Sequence, residues 1–289
     1  MNETTCQFGP QRQLAGVLTE PAGARPSSTL VLISAGLVPK YGPYRLYAEL
    51  ARHLAGLGVA TLRFDLGDIG DSRPVHTGVA LEERTRLEIG AALQFLAERF
   101  GTLPVVLGGL CSGAEDAFRY AEFDPRVSGV VLIDPFSYHT SGWWWRHRLY
   151  RLARAAALTL RAFKRTPAQG HPADALRLNY KHMDQGRARR ILGTLVARGT
   201  RAHFIYTGGA RPDFNHAGQL AAMFPGLDFH GLVDVDDFPE LEHMQPLQAE
   251  RDRMVEAICT RWRHVTASPT HAADRSVTPP FAASQSSAM

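Results

Sequence analysis

Val105-Val106-Leu107-Gly108-Gly109-Leu110-Cys111-Ser112-Gly113-Ala114 is the stretch on which the fold turns. An apolar run ends among glycines, and the residues that follow, Ala114 to Phe123, suit a helix. Cys111 stands at the apex, with Gly109 two positions before it and Gly113 two positions after. A strand that turns this sharply into a helix strains the backbone of its apex residue, and only small neighbours fit beside it. Centring the turn on Ser112 would put Leu110 and Ala114 in those places, and Leu110 is too bulky. The spacing predicts a nucleophile elbow with cysteine where serine is usual. The plainer reading of a lone cysteine is a buried structural thiol; the glycine frame favours the nucleophile.

Outward from the elbow, strands and helices alternate. Thr29 to Ser34, Val59 to Phe64, Val127 to Ile133, Ala202 to Thr207 and Leu227 to Val235 read as strands, several of them continuous apolar runs of the kind buried on both faces. Pro43 to Gly56, Leu81 to Phe100, His216 to Phe224 and Gln245 to Trp262 carry helical spacing, and residues 6–20 suit an opening pair of short strands. This alternation predicts an α/β fold with a mostly parallel sheet. It breaks after Asp134-Pro135, where a stretch rich in Arg, Ala, Leu and Trp has no clear strand. The expected organisation is a core at 1–136, a helical cap insertion at 137–198, the rest of the core at 199–265, and a tail at 266–289 whose Ser, Thr, Pro and Ala content predicts disorder.

Composition narrows the function classes. Of 289 residues, 45% are hydrophobic and 21% charged, enough to bury a sizeable core. No apolar run reaches the roughly 18 residues of a membrane span, and Met1 to Thr5 lacks a basic-then-apolar leader pattern; a cytoplasmic protein is expected. Three cysteines, Cys6, Cys111 and Cys259, are not a disulfide framework. With no Cys-x-x-Cys pair and no His-Glu-x-x-His segment, neither a metal nor another cofactor is expected. Asp65, Asp68 and Asp71 are spaced by three rather than two, which favours a structural turn over a calcium loop. The formal charge of +4 is concentrated in Arg146 to Arg165, a run without an acidic residue. Such a patch favours an anionic partner, and nothing in the chain resembles a nucleic-acid module.

The chain resembles the α/β-hydrolase family over residues 10–265, with a cap inserted after Asp134. Four features carry the likeness: the elbow Gly109-Leu110-Cys111-Ser112-Gly113; the break Ser34-Ala35-Gly36-Leu37 after an early buried strand; the loop Arg63-Phe64-Asp65-Leu66-Gly67-Asp68-Ile69-Gly70-Asp71-Ser72, with Asp68 where that family commonly has Arg; and a late His243 before the final helix. The resemblance implies acyl-transfer chemistry, with Cys111 as nucleophile and His243 as base, ahead of its rivals His216 and His230. The acid would come from the loop after the strand that follows the cap, where Asp213 is the only carboxylate. Asp134 is the alternative, and Asp213 could instead cap the helix near Asn215. The backbone N–H groups of Ser112 and Leu37 would form the oxyanion hole.

Cysteine as nucleophile points to a thioester acyl-enzyme that can pass its acyl group to an amine, alcohol, thiol or water. The expected activity is that of an acyltransferase or thioesterase, ahead of a simple carboxylesterase or lactone hydrolase. A non-catalytic binding protein of the same fold is the rival from another class. The acyl donor could be carried on coenzyme A or on an acidic acyl carrier protein docked on the basic cap; membrane-surface contact is the other reading of that patch. Three successive tryptophans, Trp143 to Trp145, cannot all face one core from a single helix, so at least one should line a groove or the surface.

Overall fold

The structure, a computed structural model, describes residues 1–74, 78–162 and 183–266, the side chains of Tyr150 and of 153–162 aside. The strands are β1 (Asn2–Phe8), β2 (Leu14–Glu20), β3 (Ser28–Ile33), β4 (Val59–Phe64), β5 (Val105–Leu110), β6 (Val127–Ile133), β7 (Arg201–Thr207) and β8 (Val233–Phe238). They form one sheet in the order β1-β2-β4-β3-β5-β6-β7-β8. The β1–β2 and β2–β4 pairs are antiparallel and every later pair is parallel. The helices are α1 (Leu46–Gly56), α2 (Leu81–Phe100), α3 (Ser112–Ala121), α4 (Ser141–Ala162), α5 (Gln185–Ala197), α6 (Gln219–Met223) and α7 (Gln248–Thr266).

The period-two alternation of strand side chains divides the core into two layers. On β3, Val31 and Ile33 point toward α2, α3 and α5, where Ile89, Phe118 and Ile191 are fully buried. Leu30 and Leu32 point the other way, toward α1 and α7, where Leu50, Met254 and Ile258 are buried. Because both faces are covered, the central strands β3, β5 and β6 are almost wholly apolar and read as continuous runs, whereas the half-buried edge strand β8 carries three aspartates.

Two expectations about chain organisation need restating. The last strand begins at Val233 rather than Leu227, after a turn through the left-handed residue His230. Of the cap expected at 137–198, residues 163–182 lie outside the described residues, and α5 buries Ala188, Ile191, Leu192 and Leu195 wholly in the main apolar cluster. Burying a Leu or Ile side chain contributes about 1.5–3 kcal/mol, so this helix is held in that cluster, beside α3. The tail at 267–289 lies outside the described residues.

The three-aspartate loop after β4 is built around a cation of the chain itself. Asp65 is fully buried, and Lys40 Nζ lies 2.6 Å from both Asp65 and Asp71. Asp65 also accepts the backbone N–H groups of Lys40 and Asp71, at 2.6 and 3.1 Å. Burial alone would lower the Lys40 pKa; the two carboxylates outweigh it and raise it. Asp68 is outside this pair and meets Arg84 at 2.8 Å. Asp65 therefore ties the loop after β3 to the loop after β4.

Candidate active site

The elbow forms where the spacing predicts it. Cys111 is the N-cap of α3, with φ 54° and ψ −118°, a conformation that a non-glycine residue adopts only under constraint. Its N–H donates to Ile133 O at 2.8 Å, extending the β5–β6 ladder to the apex. The flanking glycines are required by contact. A Cβ on Gly109 would come 2.5 Å from Gly113 C, and one on Gly113 would come 2.6 Å from Ile33 O. Ser112 begins α3, so its N–H lies in the first turn, where a helix has no partner for it.

A second contact ties the elbow to the turn after β3. Ser112 Oγ accepts the N–H of Gly36 at 2.8 Å. Ala35 and Val38 exchange backbone hydrogen bonds of 3.2 and 2.8 Å across a tight turn. Tyr47, fully buried, donates its hydroxyl to Ile33 O at 3.2 Å and accepts the N–H of Leu110 at 2.7 Å, bridging the ends of β3 and β5. Ser34 Oγ accepts the N–H of Leu66 at 3.1 Å, which fixes the same turn to the loop after β4.

His243 follows β8 and precedes α7, and its ring is directed into the elbow. Nδ1 donates to Asp134 Oδ2 at 2.7 Å, and Cys111 lies near enough to the ring to affect its ionisation. The loop carrying it is held firmly. Gly208 N donates to Leu241 O at 2.7 Å, Gln245 Nε2 to His243 O at 2.9 Å, and Arg251 to the carbonyls of Gln245 and Pro246 at 3.0 and 2.8 Å. Gln245 is completely buried in this arrangement.

The carboxylate partner of His243 is Asp134, not Asp213. Asp134 directly follows β6, its N–H donating to Ile205 O at 2.8 Å. Its carboxylate accepts the N–H and the hydroxyl of Thr207 at 2.7 and 2.6 Å as well as the His243 ring. Asp213 lies six residues beyond the end of β7, past a 3₁₀ turn at Gly208–Ala210. Its side chain is 59% exposed and pairs with His139 Nε2 at 3.0 Å. Asp213 does not cap a helix either, since α6 begins only at Gln219. A signal for Asp134 was present in its position at the end of a buried strand adjacent to β5. None pointed to Thr207, Tyr47 or Gln245, whose parts depend on neighbours far away in sequence.

Among the other candidates, His216 accepts the N–H of Gly218 and His230 pairs with Asp228. Leu37 sits at the tip of the turn after β3 with an exposed side chain. Of the three tryptophans only Trp143 is buried, stacked between His139 and His147 at centroid distances of 3.6 and 4.5 Å; Trp144 and Trp145 face outward. Cys6 and Cys259 are set apart from the site, with burial pushing both thiols up to about 11. Among the described residues no group of His, Cys, Asp and Glu is placed to hold a metal ion, and no helix is long and apolar enough to cross a membrane.

The electrostatics of His243 give a pH-dependent stability. Burial would lower its pKa, but the Asp134 hydrogen bond, and Cys111 with it, raise it from the ordinary 6.5 to about 10. A pKa raised on folding stabilises the protein in full below the unfolded value, and that contribution is lost as pH rises through the folded value. The stability difference between the native protein and His243→Gln should therefore be largest below pH 6.5, narrow as the pH rises, and vanish near 10. Urea unfolding midpoints of the two proteins from pH 6 upward measure this; a difference that grows with pH would contradict it.

The sheet order, the helices on both faces and the strand–elbow–helix unit together define the α/β-hydrolase fold. The chain is similar to an esterase from Pyrococcus furiosus (12% identity, TM-score 0.60, covering 92% of each chain). It is also similar to Est1E from Butyrivibrio proteoclasticus (12%, TM-score 0.57, covering 90% of this chain and 98% of that one). A third likeness is to an α/β serine hydrolase without a lid from Xanthomonas campestris (13%, TM-score 0.53, covering 93% and 98%). No protein-family model and no curated protein matches the chain.

Proposed function

We propose that this protein is an acyl-transfer enzyme in which Cys111, His243 and Asp134 act as nucleophile, acid–base and orienting carboxylate on an ester or thioester. The observation that carries this is the 2.7 Å hydrogen bond between His243 and Asp134, set beside Cys111 at the apex of the elbow. A ring held by a carboxylate beside a cysteine is placed to take and return the protons of acyl transfer.

In the proposed cycle the Cys111 sulfur attacks the carbonyl carbon and a C–S bond forms. The tetrahedral oxyanion collapses, the bond to the leaving alcohol or thiol breaks, and His243 gives its proton to that leaving group. His243 then takes a proton from the incoming acceptor, water included, as it attacks the thioester; the acyl product leaves and the thiolate is restored. Two backbone N–H groups would hold the oxyanion. That of Ser112 has no partner within its helix. In the turn after β3 the N–H groups of Ala35, Gly36 and Val38 are committed to Val38 O, Ser112 Oγ and Ala35 O, which leaves that of Leu37 for the ligand.

Cysteine at the apex favours an acyltransferase or thioesterase. A simple esterase or lactone hydrolase is the second reading, supported by structural neighbours that are called esterases. An acyl donor on coenzyme A or an acidic carrier fits the sulfur chemistry equally well. Intact-protein mass spectrometry after incubation with acyl thioesters and p-nitrophenyl esters tests the assignment. An acyl adduct on the native protein that disappears in Cys111→Ala is expected. An adduct that persists in Cys111→Ala would sink it, and the release rate with and without added amine or thiol separates transfer from hydrolysis.

A further inference from the structure

The outward face of α4 takes no part in the site described above, and its make-up is specific. At about 100° per residue, Trp144, Trp145, Arg148, Leu149, Arg151 and Leu152 fall within roughly 160° of the helix circumference. The four apolar members are exposed at 53, 67, 59 and 68%. The opposite side is engaged: Trp143 is buried in its stack with His139 and His147, and Arg146 Nε donates to Asn215 Oδ1 at 2.9 Å. The described part of α4 is therefore anchored to the body of the protein on one side and largely exposed on the other, where Trp144 alone leans edge-on against Trp143 and His139.

Large apolar side chains left in water are costly, and contiguous ones mark a contact surface. Here they alternate with arginines, and no Asp or Glu occurs from Ser141 to Arg165. Tryptophan with leucine, interleaved with arginine and free of acid, matches the interfacial zone of an anionic bilayer. There indole rings lie at headgroup depth and guanidinium groups meet lipid phosphates.

We infer that the outward face of α4 docks on an anionic membrane surface, seating Trp144, Trp145, Leu149 and Leu152 in the interface and Arg148 and Arg151 on lipid phosphates. α4 begins seven residues after Asp134, at the carboxyl end of the sheet, so docking holds the end of the protein that carries Cys111 toward the lipid. This placement is independent of the chemistry proposed for Cys111.

Co-sedimentation of the full chain with extruded vesicles tests it. Mixed phosphatidylglycerol–phosphatidylcholine vesicles should bind the protein and pure phosphatidylcholine vesicles should not. Trp144→Ser/Trp145→Ser, and separately Arg148→Glu/Arg151→Glu, should each weaken partitioning by about tenfold or more, as expected for about 1 kcal/mol per basic residue at an anionic surface. Vesicle binding should also blue-shift tryptophan emission in the native protein and not in the double-Trp variant. Arg190→Glu/Arg263→Glu, on exposed sites of α5 and α7, is the charge-matched control and should bind as the native protein does; circular dichroism of each variant confirms folding. No sedimentation of the native protein, equal binding to both vesicle types, or equal loss in the control overturns the proposal. Loss with the arginine pair alone also overturns it, since the tryptophans would then take no part in docking.

Discussion

Asp134→Asn is expected to lower kcat/KM by about 10³- to 10⁴-fold on whichever ester or thioester acylates Cys111, as when the carboxylate of a triad is made neutral. Asp213→Asn should leave it nearly unchanged. The reason lies in what the carboxylate does for the ring. Asp134 accepts the Nδ1–H of His243 at 2.7 Å while Thr207 N and Oγ1 hold it at 2.7 and 2.6 Å. An Asn side chain there presents an NH₂ to one of these donors, fixes the wrong ring tautomer and stops supporting the imidazolium. Asp213 touches none of these groups and is paired with His139 instead. Steady-state kinetics of the two variants decide the matter. A large loss in Asp213→Asn with none in Asp134→Asn would mean that the ring turns to a different carboxylate during turnover.

Gly113→Ala is expected to damage both stability and the elbow. Its Cβ would sit 2.6 Å from Ile33 O and 2.9 Å from Ser34 O, both backbone atoms at the end of β3 that cannot swing away. Overpacking of this kind costs about 1–3 kcal/mol or more. At about 2–4 °C of Tm per kcal/mol for a domain of this size, a fall of several degrees is expected, together with loss of the Cys111 acyl adduct. Gly193→Ala is the matching control. Its Cβ would meet nothing nearer than Leu227 Cδ1 at 3.8 Å, and removing a glycine from a helix should raise stability by up to about 1 kcal/mol. Calorimetry of both variants checks the contrast; a Gly113→Ala protein with unchanged Tm and adduct would show that the elbow is looser than its contacts imply.

Both results turn on how local signals meet distant ones. The elbow was legible because its constraint is local: a sharp strand-to-helix turn needs small residues at fixed offsets, and Gly109 and Gly113 stand there. The parallel sheet was legible because strands covered on both faces must be apolar along their whole length. His243 was found because the loop before the last helix is a fixed place in the chain order. Asp213 was chosen by the same logic of order, and order was not enough. A loop of several residues can carry a side chain in any direction, and Asp213, past the 3₁₀ turn at Gly208–Ala210, is exposed and paired with His139. Likewise the helical content of α5 was legible, but its membership of the core was not, since an apolar helix face packs equally well on a sheet or under a lid.

The sequence by itself determined the order of strands and helices, the apex cysteine and its glycine frame, and the histidine facing it, since each follows from periodicity, side-chain size or chain order. The tertiary structure alone decided which carboxylate orients that histidine, that Ser112 joins the elbow to the turn after β3, and that Lys40 is clamped between Asp65 and Asp71. These are contacts between residues 25 to 109 positions apart, and only the fold brings their atoms within hydrogen-bond reach.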